Sequence, residues 1–333
     1  MNITTPNYKP LTPTPLLGAG GATGTILLTG GAGFIGNSIL QQLNANGIDN
    51  VIVVDNLNHN EKKQNLSNCK YSLYYDKNLF LSILPTLNNV TAILHQGACS
   101  STTEADADYL QHNNVAYSKA LLHYAIDHNI PFIYASSASV YGNGTLGFND
   151  ASNNYQPING YAYSKLEFDK YVTAIITTHQ PTNKIIGLRY FNVYGYGEAH
   201  KGTMASVVFK FYQQYLQTKT IQLFDGSNAI LRDFVHVDDV VAVNLFCLQL
   251  HVPNGIYNVG TGKAESFVAL ANAFTHTITD AKLEYIPFPQ LLKNKYQYFT
   301  EATIEKLKAV GYTMPFKTVA QGVQQYCEML LKK

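Results

Sequence analysis

From Thr25 onward the chain alternates short, uniformly apolar runs with stretches long enough to be helices. TILLT (25–29), VIVVD (51–55), TAILH (91–95), PFIYAS (131–136) and KIIGLRY (184–190) are rich in aliphatic and β-branched residues. Residues 34–43, 109–129 and 161–178 carry helix-like spacing between them. Strands apolar on both faces, separated by helices, predict a parallel sheet covered on both sides. The expected fold is α/β, a doubly wound parallel sheet. After about Tyr194 the pattern loosens: residues 203–217, 301–309 and 318–332 read as helices, IQLF (221–224) and LEYIPF (283–288) as short strands. These predict a smaller, discontinuous C-terminal lobe over 194–333, with the chain returning to the first domain (25–193) near 232–262. Residues 1–24 mix Thr, Pro, Asn and Gly, which resist helix and strand alike, and read as a surface extension.

Composition narrows the function classes. With 333 residues, 46% of them apolar and 14% charged, the chain can bury a large core plus a lobe and is too apolar for disorder. A net charge of +1, with Lys and Arg scattered, argues against nucleic acid or an anionic membrane as the main partner. Cys69, Cys99, Cys247 and Cys327 lie far apart with no CxxC pair. Neither a metal site nor a disulfide framework is signalled, and reduced thiols in a cytoplasmic protein are expected. No apolar run is long enough to span a bilayer.

TGGAGFIG (29–36) joins the first strand to the first helix. Gly30, Gly33 and Gly36 suit a tight turn approached closely by a pyrophosphate, with the helix N-terminus supplying free N–H groups. Such a turn also occurs as a plain loop. Its place between strand and helix favours a dinucleotide site of the Rossmann kind, as does Asp55 closing the second strand about 20 residues on. Asp55 would bond the adenosine ribose hydroxyls and favour NAD. Lys62, Lys63 and Lys77 follow, either as solvated surface lysines or as partners for the 2′-phosphate of NADP.

Tyr161-Ala-Tyr-Ser-Lys165 is a YxxxK pair on a predicted helix, so Tyr161 and Lys165 share a face. A tyrosine needs adjacent positive charge to ionise near neutrality, which Lys165 and an oxidised nicotinamide would supply. Lys165 would also hold the nicotinamide ribose. Tyr and Lys are common at helical spacing, but YASSASVYG (134–142) places Ser137 where it would hydrogen-bond a reacting hydroxyl or ketone. Tyr163 faces the other side and is expected to pack.

The glycine turn, Ser137, Tyr161 and Lys165 together resemble the short-chain dehydrogenase/reductase superfamily, in its extended branch that modifies sugar nucleotides. Dehydratases of that branch carry an acidic pair after the serine position; here Ala138 and Ser139 follow Ser137. HQGACSSTTEAD (95–106), RYFNVYG (189–195), HKGTMASV (200–207), LFDGS (223–227), RDFVHVDDV (232–240), NVGTGKAESF (258–267) and the closing PFKTVAQGV resemble the ADP-L-glycero-D-manno-heptose 6-epimerase family. The resemblance runs from about Ile26 to the C-terminus and includes second-lobe motifs not shared across the superfamily.

That resemblance implies an NADP-dependent epimerase acting on an ADP-heptose at carbon six through a transient ketone, in lipopolysaccharide-core heptose synthesis. It implies a cytoplasmic homo-oligomer, a pentamer. Lys201 matches a second acid/base beside Tyr161; from its residue type alone it reads as a loop lysine or a phosphate ligand. Phe34, Ile35, Asp55, Asn56, Lys62, Lys77, Gln96, Gly97, Ala98, Cys99, Ser100, Asn113 and Val193 match cofactor contacts, which favours NADP over NAD. Asn192, Thr203, Lys210, Phe224, Asp225, Gly226, Ser227, Arg232 and Tyr296 match substrate contacts, and the Arg232 fork suits a diphosphate. The chain departs from the family at Gln96, usually Glu, at Thr203, usually Ser, at Lys210, often His, and at Tyr196-Gly197, a Pro-Arg pair. The rival readings are another nucleotide-sugar epimerase or reductase, such as a UDP-hexose 4-epimerase, and a non-catalytic dinucleotide sensor. The sensor is disfavoured because such proteins commonly lack the Tyr–Lys pair.

Overall fold

The computed structural model describes residues 24–248, 252–290 and 297–332. The N-terminal extension, apart from Gly24, lies outside the described residues. The strands are β1 (Thr25–Thr29), β2 (Val51–Asp55), β3 (Leu73–Asp76), β4 (Val90–His95), β5 (Phe132–Ser137), β6 (Ile185–Tyr190), β7 (Asn192–Tyr194), β8 (Thr220–Phe224), β9 (Leu231–His236), β10 (Gly255–Val259), β11 (Ala264–Ser266) and β12 (Lys282–Ile286).

Successive residues of the buried strands point into two different cores, as a pleat of period two requires. Ile26 and Leu28 of β1, with Val51 and Val53 of β2, pack against helices Phe34–Ala45 and Val237–Cys247. Leu27, Ile52 and Val54 face the opposite layer, built on helices Tyr117–Asp127 and Gly160–His179 through Leu121, Leu122, Phe168 and Val172. Among the described residues the large sheet has seven strands in the order β10-β6-β5-β4-β1-β2-β3, all parallel. The order reverses between β1 and β4, which opens a crevice at the carboxyl ends of those two strands. The doubly wound α/β expectation is borne out.

The smaller lobe has its own core, centred on Phe211, Tyr215, Ile221, Phe234, Phe274, Val323 and Tyr326. It carries a three-stranded sheet, β11-β9-β7, and the parallel pair β12-β8. β7 follows β6 after only Phe191, so the chain passes directly from the large sheet into the lobe.

Several expectations need correction. β3 was not expected: as an edge strand, LYYD is partly exposed and lacks the buried apolar run of its neighbours. The helix expected over 203–217 begins only at Val207, because Gly202 has φ +52 and Ser206 caps the N-terminus. The helix expected over 301–309 begins at Glu305, since the N–H groups of Thr300 and Ala302 are used by the Leu231 carbonyl and the Asp233 carboxylate. Within 232–250, β9 pairs with β7 and β11 in the lobe, while helix Val237–Cys247 covers the large sheet. β10 joins the large sheet at its edge.

Candidate active site

β1 ends at the switch point in the glycine turn. Gly30 has φ +71, and a Cβ there would lie 2.6 Å from the Gly97 nitrogen, so both backbone conformation and close approach demand glycine. Gly33 caps helix Phe34–Ala45, whose first turn has neither a capping side chain nor an acidic residue. That positive helix end opens onto a cleft of about 680 Å3, with the chemistry to receive phosphate.

At the end of β2, Asp55 is buried and already engaged. Its Oδ2 accepts from the Ala32 N–H at 2.9 Å, and its Oδ1 from the Asn56 N–H and from Lys62 Nζ, both at 2.7 Å. Lys62 also donates to Asn56 Oδ1 at 3.0 Å and is largely covered. Lys77 donates to Asn113 Oδ1, and its pKa is lowered, first by burial and next by the charge of Lys62. Two partly buried ammonium groups that repel each other beside a neutralised carboxylate form a place for an anion.

Helix Gly160–His179 starts under the Asn159 cap, whose Oδ1 accepts from the Ala162 N–H at 2.9 Å. The cap turns Tyr161 and Lys165 toward the same cleft, which Ser137, at the end of β5, also lines. Lys165 is buried and donates from Nζ to the Ala135 carbonyl at 2.8 Å. Burial holds its pKa at about 8, against the opposing charge of Asp169. Burial also raises the pKa of Tyr161, with a hydrogen bond to Ser137 pulling the other way. Desolvation therefore dominates both groups.

Asp169 sits one further turn along this helix. Fully buried, it accepts from Tyr134 Oη at 2.9 Å, and from Ser136 Oγ and Arg189 Nε, both at 2.8 Å. It thereby ties the helix to the ends of β5 and β6. Tyr163 is 60% exposed, so the expectation that it packs is wrong; its side of the helix faces solvent.

The loop after β7 brings the small lobe over the glycine turn. Asn65 Nδ2 bridges the carbonyls of Ala32, at 3.0 Å, and Gly197, at 3.1 Å. Lys201 then lines the cleft, its Nζ 5.3 Å from the centre of the Phe34 ring and 4.0 Å from Glu198 Oε2. Burial lowers the Lys201 pKa, Glu198 opposes this, and Lys210 reinforces it. The neighbouring His200 is pushed down to about 4, chiefly by burial and then by Lys62 and Lys201.

The sequence profile of the NAD dependent epimerase/dehydratase family matches residues 26–260. The chain belongs to this family. It is 47% identical, over 92% of its length and 98% of the relative's, to an ADP-L-glycero-D-manno-heptose-6-epimerase from Brachyspira hyodysenteriae. It is also similar to the crystal structure of the Helicobacter pylori ADP-L-glycero-D-manno-heptose-6-epimerase, with a TM-score of 0.80 and 30% identity covering 93% of this chain and 97% of that one. A UDP-glucose 4-epimerase from Thermotoga maritima, solved with UDP-glucose, follows at a TM-score of 0.77 and 28% identity, covering 92% and 99%.

Within this epimerase/dehydratase fold, the cofactor residues expected from the sequence converge. Gly30, Gly33, Phe34, Ile35, Gly36, Asp55, Asn56, Lys62, Lys77, Gln96, Gly97, Ala98, Cys99, Ser100, Asn113, Lys165 and Val193 all line the one cleft, together with Ser137, Tyr161 and Lys201. Gln96 reaches Asn244 at 3.1 Å and accepts from Tyr190 Oη at 2.9 Å, so it also braces the cleft floor.

The expected substrate residues do not line this cleft, although Asn192 and Thr203 neighbour residues that do, Val193 and Met204. Asn192 donates its amide to the Asp233 carbonyl and to Thr300 Oγ1, bracing β7 against β9. Thr203 and Lys210 are exposed on and after the Lys201 loop. Phe224, Asp225, Gly226 and Ser227 form the turn after β8, and Arg232 is buried on β9. Tyr296 lies outside the described residues. Sequence reasoning missed Asp169 and Glu198. The first was signalled by its spacing of four from Lys165, the second by its spacing of three from Lys201.

Proposed function

We propose that the protein is an NADP-dependent epimerase that interconverts ADP-D-glycero-D-manno-heptose and ADP-L-glycero-D-manno-heptose at carbon six. The observation that carries this reading is the meeting of two proton-carrying groups from different lobes in one dinucleotide cleft: Tyr161 on the large domain and Lys201 on the lobe. An epimerase that removes and restores hydrogen at one carbon is well served by an acid/base on each side of the ketone when the oxygen changes place between the two half-reactions. The relatives at 47% and 30% identity, both heptose epimerases, supply the substrate class. The paired Lys62 and Lys77 favour NADP over NAD, because Asp55 is already neutralised where a 2′-phosphate would otherwise be repelled.

The glycine turn, Asn56, Lys62 and Lys77 would hold NADP, which when bound would supply the reversible hydride-transfer chemistry that an epimerisation at carbon six requires. As a phenolate supported by the adjacent positive charge of Lys165, Tyr161 takes the hydroxyl proton as the ketone forms, and Ser137 holds the oxygen by a hydrogen bond. Lys165 clamps the cofactor ribose and places positive charge behind Tyr161. After the sugar reorients, Lys201 supplies the proton to the oxygen in its second position. Arg232 holds the diphosphate. In this reading residues 25–193 hold the cofactor, with helix Val237–Cys247 and β10 completing that domain, the lobe within 194–333 holds the sugar nucleotide, and the protein works in the cytoplasm as a homo-oligomer.

The test is incubation of the purified protein with ADP-D-glycero-D-manno-heptose, followed by resolution of the two diastereomers. Interconversion without added cofactor is expected. No interconversion, together with turnover of a UDP-hexose, would sink the heptose assignment.

A further inference from the structure

Glu198 is completely buried, an expensive position for a carboxylate unless its oxygens are engaged. Its Oε2 accepts from the Ser206 N–H and its Oε1 from Ser206 Oγ, both at 2.6 Å, while Tyr326 Oη donates to Oε1 at 3.1 Å. These contacts fix it from two directions, the cap of helix Val207–Thr218 and the C-terminal helix Val319–Leu331. Oε2 also faces Lys201 Nζ at 4.0 Å, three residues along the same short loop.

We propose that Glu198 is the positioning residue for Lys201: its anchored carboxylate holds the ammonium over Phe34, facing the cleft, until the sugar oxygen arrives. The inference rests on the reading of Lys201 as the second acid/base. The other charged or titratable groups around Lys201 and Glu198 are Lys210 on the following helix, His200 in the loop, and the phenols of Tyr326 and Tyr196. Lys210 repels the Lys201 ammonium, which leaves Glu198 as the group that favours its charged form. The Asn65 bridge at Gly197 and the Ser206 cap bracket the loop, so its reach into the cleft is set by these contacts.

The test uses the full chain as Glu198→Gln, Glu198→Asp, Lys201→Met and the Glu198→Gln, Lys201→Met double variant. Rates of Lys201 acetylation across pH, read by mass spectrometry, give its pKa directly. That pKa is expected to fall by about one unit or more in Glu198→Gln, and to stay near the wild-type value in Glu198→Asp. The limb of the kcat–pH profile that Lys201 governs should move to lower pH by the same amount. kcat should drop about tenfold or more, with no further loss when Glu198→Gln is added to Lys201→Met. Equal falls in the Gln and Asp variants, or an unmoved Lys201 pKa, would overturn the inference and mark Glu198 as packing. Wild-type epimerisation by Lys201→Met would instead remove the second acid/base, whatever the acetylation rates give for Glu198.

Discussion

Lys165→Met should stabilise the cofactor-free protein near neutral pH while abolishing its activity. Lys165 is only 6% exposed, and burial holds its pKa at about 8 instead of 10.5. That difference corresponds to on the order of 3 kcal/mol between the two protonation states, to the disadvantage of the charged form in the fold. Below about pH 8 the folded lysine is charged and the penalty is complete. Between about 8 and 10.5 the folded protein releases the proton while the unfolded chain keeps it, so wild-type stability gains with rising pH. Above that window the penalty is gone.

Methionine carries no charge at any pH, but it leaves the Ala135 carbonyl without the 2.8 Å bond from Nζ, a loss of about 1–2 kcal/mol. The net expectation is a gain of about 1–2 kcal/mol at neutral pH and a loss of about 1–2 kcal/mol above the window, with a crossover between. Urea denaturation of both proteins, freed of nucleotide, at neutral and strongly alkaline pH would measure this. A variant less stable than wild type by the same amount at both ends would refute the reasoning, because it would mean that the buried charge carries no net penalty.

Three further outcomes are expected. Tyr161→Phe should keep its nucleotide, read by absorbance after denaturation, and lose about 10²–10⁴-fold in turnover; near-normal turnover would assign the first proton to another group. Lys62→Ala should weaken NADP binding by about 1.5–3 kcal/mol while leaving NAD nearly unchanged, measured by titration calorimetry on the stripped protein. Equal losses for both nucleotides would remove the 2′-phosphate role. Asp169→Asn should destabilise the fold by about 3–5 kcal/mol, because the fully buried Arg189 loses its counter-charge; a melting temperature within a degree of wild type would show the pair to be dispensable.

The parts of the fold that were legible in the sequence are those where one physical demand dominates. β1, β2, β4, β5 and β6 are buried on both faces, so their apolar runs were unmistakable, and the glycine turn was fixed by the need for positive φ at Gly30. β3 escaped because an edge strand shares its burial with solvent. The true start of helix Val207–Thr218 escaped because the apolar spacing continues back through a loop whose conformation is set by Gly202 and Glu198. The residues expected at a cofactor were legible as a group because they cluster around the glycine turn and the neighbouring strand ends, and they line one cleft. The substrate side was less so: Asn192 was expected at the sugar, yet its amide is used by Asp233 and Thr300, partners 41 and 108 residues away.

The two lysines of the cleft illustrate why motif reading stops short of chemistry. Lys165 sits on a helix face, bonded to a backbone carbonyl, with the nearest strong anion, Asp169, committed to Arg189. Its charge is therefore only weakly supported, and the pKa settles at about 8. Lys201 is also pushed down by burial, but it has Glu198 at 4.0 Å, a carboxylate held by Ser206 and Tyr326 and committed to no other cation among the contacts described. Burial lowers the pKa of both lysines, but Lys201 has a close carboxylate, Glu198, acting against that fall. In the proposed mechanism that difference would suit Lys165 as a clamp beside a cationic nicotinamide and Lys201 as a donor that holds its proton until the ketone has turned. Neither difference is visible in YxxxK or HKGTMAS as strings; both depend on carboxylates that the fold brings up beneath them.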